Sequence, residues 1–262
     1  MKKILFIFSF FLLLHTPLSF AEPDTILITL SDTMNKIKFD GKWSFPPEWK
    51  NSSLDTFGPN KIRTAHQGEF VYVLIDVLSD STYDKGSDKA TLCFDTNNDK
   101  SIIPQEDDYC FIAILDGKQE FILQGGSPFR ISSHYQKILT HENFIAIGTM
   151  SDNNDRYSKT PHTSYEFKIP IEIIGRSNVY GFYLQVFDQS SGQTFTWPEN
   201  INTNNKIPPT NLWGEIISID KSLPEFPLPL FFFTILLFSM IIVSKKLNYG
   251  RLRINNQQIF ER

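Results

Sequence analysis

The sequence predicts an all-β domain, an antiparallel two-sheet β-sandwich, flanked by an N-terminal signal peptide and one C-terminal transmembrane helix. Short runs rich in β-branched and aromatic residues recur along the chain, turn residues break them at close intervals, and no long stretch carries helical period. Candidate strands cover residues 36–39, 62–66, 70–77, 90–94, 109–115, 120–123, 144–148, 164–169 and 180–187. Two alternate cleanly. Tyr165, Phe167 and Ile169 oppose Glu166 and Lys168, and Phe182, Leu184 and Val186 oppose Tyr183 and Gln185. The run from Phe70 to Ile75 is apolar on both faces, which suits a strand covered on both sides. Many short strands without helices favour a sandwich.

The ends of the chain carry export and anchoring signals. Lys2 and Lys3 precede an apolar stretch over residues 4–14, then Pro17, with small residues at Ser19 and Ala21, so residues 1–21 read as a cleavable signal peptide. Residues 227–243 carry no charge, and a spanning helix is assigned to residues 227–244. The tail over residues 245–262 holds Lys245, Lys246, Arg251, Arg253 and Arg262 against the single acid Glu261, which marks it as cytoplasmic and turns the domain at residues 22–200 outward. The expected location is the cell membrane, single-pass. Residues 201–226 read as an irregular juxtamembrane connector, with Trp213 packing back on the domain. Within the connector, Pro224-Glu225-Phe226 before an apolar helix resembles the C-terminal sorting signals of some archaeal surface proteins. The tail from Leu247 onward is longer than those signals carry, which favours permanent anchoring.

Composition narrows the function. Charged residues make up 21% and aromatic residues 14%, with a formal charge of −4, and no Lys/Arg-rich run lies outside the tail. Phosphate-backbone binding needs a basic patch, so nucleic acid is excluded as a partner. Enzyme motifs are missing as well: there is no His-Glu-x-x-His and no Gly-x-Ser-x-Gly, and Gln124-Gly125-Gly126-Ser127 lacks the lysine of a phosphate loop. His66, His134, His141 and His162 are scattered without metal spacing. The expectation is a binding protein without catalysis.

The two cysteines, Cys93 and Cys110, sit in neighbouring strand-like runs of the exported part. A disulfide is the simplest state outside the cytoplasm, with buried free thiols as the alternative. Between them lies Asp95-Thr96-Asn97-Asn98-Asp99-Lys100, followed by Glu106, Asp107 and Asp108. Ca²⁺ takes six to eight oxygens, and alternate side chains of a tight loop converge on one point. Asp95, Asn97, Asp99 and Glu106 are therefore the candidate Ca²⁺ ligands of a hairpin loop; the competing reading is a solvated loop in which Asp and Asn form turns. In a second polar loop, Asp152 to Arg156, Arg156 is expected to pair with one of the acids.

Sugars stack apolar faces on flat rings, with amides and carboxylates alongside. Trp49 follows Pro46-Pro47 and Trp197 precedes Pro198, so both are expected on exposed loops and are the candidate ligand-binding residues, with core or lid positions as the alternative. Asn51-Ser52-Ser53 is a glycosylation sequon in a loop-like stretch, with chance occurrence as the alternative.

Phe39-Asp40-Gly41-Lys42-Trp43, the run 70–77, Leu92-Cys93-Phe94-Asp95 with its acidic loop, Tyr165 to Pro170 and Tyr180-Gly181-Phe182 together resemble the family 9 carbohydrate-binding module and its DOMON-like relatives, over roughly residues 36–198. The resemblance implies a β-sandwich, often with structural calcium, and ligands that are sugars in some branches and haem in others. A glycan-binding surface protein is the leading expectation. The alternatives are a haem-binding electron-transfer domain, with Met150, His66 and His141 as candidate axial ligands, and a structural envelope component that engages another surface protein.

Overall fold

The structure, a computed structural model, describes residues 24–117, 120–129, 133–199, 201 and 206–219. The expected signal peptide, membrane helix and tail lie outside those residues. No helix among the described residues is long and apolar enough to cross a membrane.

The described strands are β1 (Thr25–Leu30), β2 (Ser53–Phe57), β3 (Asn60–Gln67), β4 (Phe70–Val77), β5 (Lys89–Asp95), β6 (Asp108–Ile114), β7 (Phe121–Gln124), β8 (Gln136–Ile138), β9 (Ile145–Met150), β10 (Thr163–Pro170), β11 (Val179–Phe187), β12 (Thr194–Trp197) and β13 (Gly214–Ser218). They form two sheets. The first runs β8-β7-β6-β5-β11-β13-β1, with β12 also on β11; the second runs β1-β3-β4-β10-β9, with β2 on β3. β1 belongs to both. Thr25 to Ile28 pair with β13, Thr29 and Leu30 pair with β3, and both pairings are parallel, which corrects the expectation of a wholly antiparallel sandwich.

The inner faces follow the alternation read from sequence. Val71, Val73, Ile75 and Val77 of β4 and Tyr165, Phe167 and Ile169 of β10 share one core with Leu92 and Phe94 of β5, Phe111 of β6, and Phe182, Leu184 and Val186 of β11. Phe94 lies near the centre, with the rings of Phe182, Tyr180 and Phe111 at 5.2, 5.8 and 5.9 Å. Burying a side chain of this size contributes about 1.5–3 kcal/mol.

Both outer faces are also covered in part, which is why β4 reads as apolar throughout. Tyr72 and Leu74 point outward and are capped by Met34, Trp43 and Trp49. On the other sheet Cys93, Cys110 and Tyr183 are covered by Tyr135 and Trp213. The segment from Ser31 to Ser52 that supplies the first cap forms no strand, so the strand expected at residues 36–39 is not found; a 3-10 turn at Met34–Lys36 precedes extended chain. Its backbone donors go to buried carboxylates instead of a ladder. Glu48 accepts from the N–H groups of Lys38, Ser44 and Phe45, and Glu166 from those of Asp40 and Gly41.

The irregular connector expected after residue 200 is corrected too, because β13 lies between β11 and β1 inside the first sheet. With Ile216 buried and Gly214 against the Trp197 ring, this short strand completes the core. Trp213 does pack back on the domain, stacked on Tyr183 at 6.0 Å.

Candidate functional site

β5 and β6 are adjacent antiparallel strands, and their register sets Cys93 opposite Cys110 and Asp95 opposite Asp108. The cysteines form a disulfide. Two residues further along the same face, the side chains of Asp95 and Asp108 are 0% and 1% exposed, and with Asp107 they bring carboxylate oxygens within 4.8 Å of one another. Like charges that close cannot all ionise without a counter-charge. Burial, reinforced by Asp95, Asp107 and Asp99, pushes the Asp108 carboxyl up to about 7, and burial also raises Asp95. Asp107 Oδ2 and Asp108 Oδ1 have no hydrogen-bond partner, nor does the buried Tyr135 hydroxyl. The ionisation of that phenol is pushed up by burial and by the negative charges of Asp108 and Asp95.

Of the four expected Ca²⁺ ligands, only Asp95 belongs to this cluster. Asn97, Asp99 and Glu106 are exposed. Asn97 Oδ1 accepts from the Asp99 N–H at 2.8 Å and Asp99 Oδ1 from the Ser101 N–H at 2.9 Å, the local turn bonds that Asx side chains favour. Alternate positions converge only in a loop wound for that purpose. Here the chain leaves β5 and re-enters β6 so that Asp107 and Asp108, at the far end, meet Asp95.

A second group, Asp80, Asp88 and Asp188, is buried at the opposite end of β5 and β11. Its oxygens accept from Thr82 and Thr163, from the Gln189 and Asp84 N–H groups, and from Ser190 and Ser191. Burial pushes Asp88 up to about 6.

The tryptophans do not form the expected platform. Trp49 is 0% exposed and donates its indole N–H to Glu166 Oε1 at 2.9 Å, so its role as an exposed stacking surface is corrected. Trp197 is 6% exposed, with its ring against Phe182 at 5.7 Å, and the same correction applies. The loop that carries Trp49 folds back over the second sheet, because its apolar outer face needs cover, whereas Trp197 ends β12 and lies in the core between the sheets. Trp43 lies under the guanidinium groups of Arg156 at 4.4 Å and Arg63 at 4.9 Å. Arg156 therefore stacks on a ring, and of the two acids in its loop Asp152 bonds Lys42 at 2.7 Å.

Concave surface lies elsewhere. Two open clefts of about 620 Å³ each flank Gln105 and Glu106. One is lined by Ser101 to Glu106 and Gly126, with Ile102 and Ile103 exposed. The other is more polar, lined by Thr96, Gln105, Glu106, Asp107, Tyr109, Gln124 and residues 172–175. Gln124 Nε2 donates to Tyr109 Oη at 3.0 Å and to the Glu106 carbonyl at 2.6 Å, which ties the cleft wall to the acidic hairpin. Tyr109 and Gln124 carry no motif, and only strand pairing brings them together.

The remaining candidates are dispersed. His66 Nε2 lies 3.3 Å from Ser218 Oγ, His141 Nε2 lies 3.3 Å from Glu172, and Met150 packs against the core. Asn51 is exposed, its amide donating to Asp32 Oδ1 at 3.1 Å.

No family model matches the chain, and no curated protein matches it. Among solved structures, the chain is similar to a carbohydrate binding module family 9 from Caldicellulosiruptor kristjanssonii in complex with glucose, at 16% identity and TM-score 0.45, covering 74% of this chain and 95% of that one. The same module in complex with cellotriose matches at 16% identity and TM-score 0.44, covering 77% and 98%.

Proposed function

We propose that this protein is an exported, membrane-anchored binding protein without catalysis, and that its open polar cleft beside the β5–β6 hairpin takes a glycan. The observation that carries the reading is the cleft lining itself: Tyr109 lines it together with Gln105, Gln124, Glu106 and Glu172. A flat ring beside amide and carboxylate groups is what a saccharide's C–H face and hydroxyls require. The disulfide supports export, since such bonds persist outside the reducing cytoplasm. Binding rather than catalysis fits the placement of the carboxyls pushed toward neutrality. Asp88, Asp108 and Glu166 are all 1% exposed or less and closed to a substrate.

Calcium belongs to the same proposal. Asp95, Asp107 and Asp108 supply hard carboxylate oxygens, and a divalent cation there would neutralise them and fix the hairpin that forms the cleft wall. Calorimetry with a panel of oligosaccharides, glucose and cello-oligosaccharides included, tests the cleft. Tyr109→Ala is expected to weaken binding roughly tenfold, about 1.4 kcal/mol, and Glu106→Ala, at an exposed position, to weaken it without affecting folding. If no saccharide binds, or if both variants bind as the parent does, the glycan reading fails. A Soret band in the purified protein would favour haem instead.

A further inference from the structure

On the outer face of the second sheet, away from the cleft, His162 meets two carboxylates. Its ring is 1% exposed, and Nε2 lies 3.6 Å from Asp76 Oδ1 and 3.9 Å from Asp155 Oδ1, whose side chains are 1% and 2% exposed. Nδ1 lies 3.0 Å from the Thr160 carbonyl, which can only accept, so in that bond the proton sits on Nδ1. Ser151 Oγ, also 3.0 Å from Nδ1, accepts from the His162 backbone N–H. In the neutral imidazole the lone pair of Nε2 is then aimed at the two carboxylates, neither of which lies within hydrogen-bond distance of it.

With the imidazole neutral, three buried acceptors face one another and need a cation between them. A proton on Nε2 would draw one carboxylate to about 2.7–2.9 Å, the length of a charge-assisted hydrogen bond. The observed 3.6 and 3.9 Å are longer. Two ligands of one Zn²⁺, each bonded at about 2.0–2.1 Å in tetrahedral geometry, lie roughly 3.4 Å apart. The surroundings are those of a held ligand set. Asp76 Oδ1 accepts from Ser164 Oγ at 2.9 Å, Asp155 Oδ1 from the Tyr157 N–H at 2.7 Å, and the carbonyl on Nδ1 fixes the imidazole tautomer, as outer partners of metal ligands do.

We propose that Asp76, Asp155 and His162 form a structural site for a zinc-class divalent cation, independent of the glycan and calcium readings. An imidazole nitrogen with carboxylate oxygens suits zinc and its first-row neighbours, whereas Ca²⁺ takes oxygen ligands alone. The three residues come from β4, from the loop before β10 and from the residue at the entry to β10, so the ion would pin the 151–162 loop to the sheet.

The test uses the full chain extracted in detergent, stripped with chelator and titrated with Zn²⁺, and with Co²⁺ as the visible probe. The parent is expected to gain a ligand-field band with Co²⁺ and to unfold at a higher temperature with Zn²⁺. His162→Gln and Asp155→Asn, each checked for folding by circular dichroism, should lose the band and bind at least about tenfold more weakly. Asp108→Asn should retain it. Failure of the parent to give the band, or its survival in the folded Asp155→Asn variant, would overturn the site in favour of an imidazolium paired with two carboxylates.

Discussion

Trp49 and Glu166 are joined by a buried 2.9 Å hydrogen bond, 117 residues apart in sequence, and that bond seats the segment Ser31 to Ser52 on the outer face of β10. The other oxygen of Glu166 holds the N–H groups of Asp40 and Gly41 at 3.0 and 2.9 Å. Together with Glu48, the Glu166 side chain thus replaces a strand ladder as the acceptor for the covering chain.

Stability should therefore depend on pH through Glu166. Burial pushes its carboxyl from 4.5 up to about 8. The folded state then holds a proton that the unfolded chain has released, so stability falls as pH rises between those values, by on the order of 1.4 kcal/mol per unit. Asp88 and Asp108 act with the same sign, so the contribution is isolated by comparison with Glu166→Gln. Urea unfolding at pH 5 and pH 8 should show a shallower loss in the variant; an unchanged loss would assign the dependence to the aspartates.

Breaking the disulfide should cost more than removing a surface contact. Cys93 and Cys110 close a loop of 17 residues, for which the chain-entropy estimate is about 3 kcal/mol. A Cys93→Ser, Cys110→Ser double variant is expected to unfold at a lower urea midpoint with a steeper denaturant slope, because the unfolded chain is released from its crosslink. Equal midpoints would mean that the acidic hairpin is held by its other contacts.

Calcium, if it binds at the hairpin, should depend on the residues the register assembles. Asp107→Asn and Asp108→Asn should abolish a Ca²⁺-induced rise in unfolding temperature, while Asn97→Ala and Glu106→Ala should leave it in place. Scanning fluorimetry with Ca²⁺ and with chelator reads this directly. The reverse pattern would restore the alternate-position ligand set.

Gly214 should tolerate no side chain. A Cβ there would lie 2.6 Å from both the Trp197 ring and the Asp24 carbonyl oxygen, in the strand that joins β11 to β1. Gly214→Ala is expected to destabilise by about 1–3 kcal/mol through overpacking, measured by thermal unfolding. A neutral effect would show that the Trp197 ring can move aside.

Where inward residues alternate with polar ones, as in Tyr165-Glu166-Phe167-Lys168-Ile169, the sequence is enough to place the strand and its core face, and the cysteine pair is legible from its position in neighbouring runs. β1 escapes the same reading because Leu27 and Leu30 are 45% and 60% exposed, so apolar residues on its outer face erase the alternation. β13 escapes it because five residues between polar stretches carry too little pattern.

Sequence by itself determined the all-β class, the inner faces of the long strands and the acidic character of the hairpin, because period-two burial and turn chemistry are local properties of the chain. Only tertiary structure decided which carboxylates meet, that Trp49 is a cover and Trp197 a core residue, and that β1 joins both sheets. These depend on register and on long-range packing, where residues more than a hundred positions apart, such as Trp49 and Glu166, become neighbours because each sheet needs its outer apolar face shielded from water.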